Sequence, residues 1–109
     1  MESLHDFAER FRADVEKECG CPVYKKALTT RFNLHNPHGV FAYIRRQPKL
    51  GCFRIAAWNK HAEAAGVAHL ACKPTTMWVE PGLVWYVKES DAESYKKAVN
   101  AFSKICQVR

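Results

Sequence analysis

The sequence predicts an α+β fold: a single domain in which an antiparallel sheet of about five strands carries an N-terminal and a C-terminal helix on one face. Three observations carry that expectation. Both ends repeat their apolar residues with a helical period, the middle alternates with a period of two, and Pro and Gly punctuate the alternating runs. At 109 residues, 48% hydrophobic and 12% aromatic, the chain suits one domain over positions 1–109 with a substantial core.

The first element is a helix, because Leu4, Phe7, Ala8, Phe11 and Val15 form one apolar stripe. Ser3 is placed to cap it, and Gly20 with Pro22 ends it. From Lys26 the period changes to two, with Leu28, Thr30, Phe32 and Leu34 on one side of a strand that ends at "HNPHG". A hairpin follows, in which Phe41 and Tyr43 share one face and Ala42 and Ile44 the other. After a turn from Pro48 to Gly51, Phe53, Ile55 and Ala57 resume the alternation. That turn is strongly basic, holding Arg45, Arg46 and Lys49, and the expectation is a protruding cationic tip.

Asn59 is placed to cap a short helix, "KHAEAA", that Gly66 ends. The strands "TTMWVE" and "LVWYVK" flank Pro81-Gly82, a pair suited to the centre of a type II turn. Ser90 and Glu93 have capping-box spacing, and Tyr95, Ala98, Val99, Phe102 and Ile105 make the last amphipathic helix. There is no repeat, low-complexity tract or linker.

Charge is unevenly spread. Residues 1–19 hold six acids and three bases, a net −3, so the rest of the chain, whose total is +6, carries +9. A basic body steers polyanions toward its positive side. Lys25, Lys26, Arg31, Arg45, Arg46, Lys49, Arg54, Lys60 and Lys73 supply the charge. Tyr43 and Trp58 are the aromatics nearest to it that could stack on a base.

Other chemistry is poorly represented. A glycine-rich phosphate loop, a paired-carboxylate motif and a nucleophile signature are all missing from the sequence, so no catalytic residue and no cofactor is expected. Cys19, Cys21, His35, His38, His69 and Cys72 are ligand types without the C-x2-C spacing of a zinc ribbon, so no metal is expected. If one bound, Cys19, Cys21, His69 and Cys72 would be the set. The five cysteines, an odd number without a secretory leader, are expected to be reduced, with Cys52 and Cys106 in the core. No run reaches the roughly 18 to 20 apolar residues of a membrane span, so a cytoplasmic chain without a membrane partner is expected.

"GVFAYI", "FRIAAWNKHAEAA", "VWYV" and "SYKKAVNAFSKI", between Gly39 and Ile105, resemble the pattern of the MmcQ/YjbR-like small domains. The resemblance implies a CyaY-like (frataxin-like) fold, and DNA binding has been proposed for that family. Frataxins gather iron on an acidic ridge of the first helix and strand. Here Lys25, Lys26 and Arg31 occupy the partner strand, which breaks such a carboxylate surface. Two functions are therefore expected: a nucleic-acid-binding module using Tyr43, Arg45, Arg46, Lys49, Arg54, Trp58 and Lys60, or a non-enzymatic adaptor or inhibitor that covers an acidic protein surface with the same charges.

Overall fold

The computed structural model describes residues 2–108 and has the α+β architecture that the sequence predicts. Helix α1 (Leu4–Cys19) begins where Ser3 Oγ accepts a hydrogen bond from the Asp6 amide at 3.0 Å. It ends at Gly20, whose φ of +73° suits a residue without a side chain, with the Gly20 amide donating to Glu16 O. The strands are β1 (Tyr24–Ala27), β2 (Phe32–Asn36), β3 (Gly39–Gln47), β4 (Cys52–Trp58), β5 (Lys73–Met77) and β6 (Glu80–Lys88). The short helix α2 (Asn59–Ala64) follows β4, and α3 (Ala92–Val108) closes the chain.

All neighbouring strands are antiparallel, in the order β1-β2-β3-β4-β6-β5. The sheet thus has six strands rather than about five. The strand expected from Lys26 to Leu34 folds back on itself at Leu28–Arg31, where the Leu28 amide bonds Arg31 O at 2.8 Å. Leu28 and Thr30 are consequently exposed turn residues rather than a buried stripe.

One face of the sheet carries the helices. Phe7, Phe11 and Val15 of α1 and Ala98, Phe102 and Ile105 of α3 are buried against Ile44, Phe53, Ile55 and Trp85. The Phe7 and Phe53 rings stack at 4.0 Å, and Phe102 meets Trp85 at 5.0 Å and Phe11 at 5.7 Å. Each fully buried ring of this kind contributes about 1.5 to 3 kcal/mol by its removal from water. Phe41 also enters this core, contrary to the expectation that it shares a face with Tyr43. Between the pairs Leu34–Ala42 and His35–Val40 it has no opposite residue, so it is the extra residue of a bulge and turns inward beside Ala42.

Three local signals act elsewhere than expected. Asn59 is the first residue of α2 and donates to Glu63 Oε1 at 2.9 Å, while Trp58 holds the extended cap position. Asp91, not Ser90, caps α3, its Oδ1 accepting from the Glu93 and Ser94 amides. The last hairpin turns at Trp78–Val79, and Pro81-Gly82 lie within β6. Trp78 itself takes the left-handed conformation, φ 56°, that this two-residue loop requires. Among the described residues no helix is long and apolar enough to cross a membrane.

Candidate functional site

The face of the sheet away from the helices forms a trough. Because cross-strand partners share a face, the pairs Tyr43–Ala56 and Arg45–Arg54 bring β3 and β4 side chains onto it, and Ala56–Val84 and Arg54–Tyr86 extend the rows onto β6. Beyond β6, the β5–β6 hairpin raises one wall. The lack of a side chain at Gly82 admits Met77, whose Sδ would lie 2.3 Å from a Cβ built there. With Met77 seated, the Trp78 ring comes back over the sheet to meet Trp58 at 5.4 Å and Tyr43 at 5.7 Å. Tyr43 and Trp58 meet edge-on at 6.1 Å, which completes an aromatic trio over buried Ala56.

Arginines surround that trio. Arg31, from the β1–β2 turn, holds its guanidinium carbon 5.5 Å from the Trp78 centroid and 5.8 Å from that of Tyr43. Its Nε is buried without a hydrogen-bond partner among the described residues. Arg54 donates to Thr75 Oγ1 at 3.3 Å. Burial, and after it the facing Arg45 guanidinium, pulls the Arg54 pKa below the ordinary arginine value, although the group keeps its charge. Among the described residues none of these three arginines has a carboxylate within 4.0 Å. The resulting cavity, about 290 Å³, has no acidic side chain, histidine or cysteine among the described residues of its lining, and so presents a cationic aromatic surface. A larger cavity between α1 and α3, about 630 Å³, is lined by Asp14 and Glu18 as well as Lys17 and Lys96, and so selects neither sign of charge.

The structure thus gathers Tyr43, Arg45, Arg54 and Trp58 on one surface and separates the remaining candidates from it. Arg46 is not part of a cationic tip. It points to the helix-covered face, where its Nη2 donates to Glu2 O at 2.7 Å and its guanidinium lies 4.8 Å from the Phe53 centroid. Only Lys49 remains in the turn itself, a single 3-10 turn over Pro48–Leu50 closed by Gly51. Lys60 is exposed on α2, 3.9 Å from Glu80. Trp78 and Thr75 escaped the sequence reading because they reach the site through the curl of the edge hairpin. A tryptophan beside "VEPG" is their one visible sign.

The cysteines also regroup. Cys72 and His69 are exposed and lie outside the sulfur cluster, in which Cys19 and Cys21 meet Cys106 instead. Burial is the main cause that pushes the Cys19 and Cys106 thiols above the ordinary thiol range, so both are protonated at neutral pH. Cys52 and Cys106 are buried, as expected. No protein-family model, curated protein or solved structure matches this chain.

Proposed function

We propose that the chain is a non-enzymatic module that binds single-stranded nucleic acid on the open face of its sheet. The observation that carries this reading is the convergence of Arg31, Arg45 and Arg54, without acidic partners among the described residues, on the Tyr43, Trp58 and Trp78 rings. Arginines bind phosphates and release counterions, while exposed rings stack on unpaired bases whatever their sequence. Trp78 is 63% exposed, unusual for so large an apolar side chain, and a stacked base would cover it. A duplex hides its base faces and offers this surface phosphates alone, so single strands are the better fit. The resemblance to the MmcQ/YjbR-like domains, for which DNA binding has been proposed, points in the same direction.

Fluorescence titration with oligo-dT and oligo-U tests the reading, because Trp78 lines the trough and Trp58 packs against it, whereas Trp85 is buried in the core. Binding should quench exposed Trp78 and, through their contact, partly buried Trp58, and should favour single strands over duplex. Three phosphate contacts predict a slope of log K against log salt of about −2. Trp78→Ala should weaken binding by about 1 to 3 kcal/mol. Absence of binding at low salt, together with a response to an acidic peptide, would replace this reading with the protein-interaction one.

A further inference from the structure

We propose that Cys19, Cys21 and Cys106 form a three-thiolate binding site for a soft cation, zinc(II) or copper(I). Their sulfurs are separated by 3.2 Å (Cys19–Cys21), 3.3 Å (Cys21–Cys106) and 3.6 Å (Cys19–Cys106). They come from the last residue of α1, the loop after it and the final turn of α3, elements that pack together independently of the trough. The left-handed Gly20 between the first two cysteines reverses the chain and brings both sulfurs to one side. Asn36 on β2 braces the third, its Nδ2 donating to Cys106 O at 2.8 Å and lying 3.8 Å from Cys106 Sγ.

The triangle fits a metal. For an ion about 2.3 Å from each sulfur, the zinc–thiolate distance, the sulfurs would spread by roughly 0.2 to 0.6 Å to reach tetrahedral angles, and a fourth ligand would complete the shell. Oxygen and imidazole ligands are absent from the group, which favours thiophilic ions over magnesium or calcium. The setting favours a cation over a nucleophilic thiolate, because α1 and α3 both direct their C-terminal, partially negative ends here, whereas reactive cysteines sit at helix N-termini or beside cations. Each thiol that ligates releases its proton to solvent, so one bound ion displaces three protons. Cys19 and Cys21 are partly exposed, which gives the ion an entry path.

The test is a titration of the reduced 109-residue chain under anaerobic conditions, with zinc(II) against a chromophoric chelator and separately with copper(I). One ion per chain should bind and about three protons should be released. The bound ion should protect partly exposed Cys19 and Cys21 from alkylation while exposed Cys72 stays reactive. Cys21→Ser, at a partly exposed position that leaves the core intact, should weaken binding by more than about tenfold, since even loss of an outer-shell partner costs that much. Cys72→Ser should leave binding unchanged. Lack of stoichiometric binding of both ions, or binding that survives Cys21→Ser, would overturn the assignment.

Discussion

The helix-covered face of the sheet and its open face treat arginine in opposite ways. On the covered side, Arg10 bonds both carboxylate oxygens of Glu2, Arg12 bonds Glu9 and Val23 O, and Arg46 bonds Glu2 O while lying over Phe53. On the open side, Arg45 sits directly opposite Arg54, and among the described residues Arg31 has a buried Nε without a hydrogen bond and none of the three meets a carboxylate. Arg45 and Arg46 are neighbours in sequence, and the strand's alternation alone sends them to these two environments. Opposed like charges cost stability unless an anion lies between them. The covered face is therefore arranged for folding, and the open face carries a charge arrangement that a polyanion would relieve.

The largest expected effect lies on the covered face. Phe102→Ala, which removes the ring between Trp85 and Phe11, should cost about 3 to 5 kcal/mol in chemical denaturation. A smaller cost would mean that the two helices hold the sheet less tightly than the buried rings imply. Acid should also act on this side. The hydrogen bond from Arg12, followed by that from Lys25, lowers the Glu9 pKa from 4.5 to about 2, and Glu2 and Glu16 are lowered as well. A carboxylate with a depressed folded-state pKa stabilises the fold above its unfolded value, so this contribution is lost as the pH falls from about 4.5 toward 2. Melting temperatures across that window should fall, and Glu9→Gln should flatten the fall. These carboxylates are partly exposed to solvent, which screens the pairs, so the effect is modest.

The smallest effect has the opposite sign. Arg45→Ala should raise stability by about 0.2 to 1 kcal/mol, because it relieves the cross-strand repulsion with Arg54, while weakening oligonucleotide binding. A loss of stability instead would show that Arg45 serves the fold.

How much of this was legible in the sequence follows from where each residue sits. The stripes of α1 and α3 were readable because a single period runs through each, and the β3–β4 hairpin because one runs from Tyr43 to Ala57, past the bulge at Phe41. Tyr43, Arg45, Arg54 and Trp58 were brought together only by nearness in sequence, along with Arg46, Lys49 and Lys60. The β1–β2 turn was hidden because "LTTR" contains neither Gly nor Pro. Gly82 misled because its missing side chain makes room for Met77 rather than a turn. Arg46 was grouped with Arg45 by proximity, although a strand separates adjacent residues by a whole sheet. Trp78 and Arg31 join the trough through contacts between elements distant in sequence, and so does Cys106 with Cys19 and Cys21. Local pattern does not encode such contacts.

Chemical-shift mapping with a short single-stranded oligonucleotide at low salt would locate the bound strand residue by residue. Perturbed amides and indole groups should cluster at Tyr43, Arg45, Arg54, Trp58, Thr75 and Trp78, with the Arg46 side chain and the Phe102 signals unmoved. Perturbations centred on α1 and α3, or a spectrum unchanged at saturating oligonucleotide, would contradict binding on the open face.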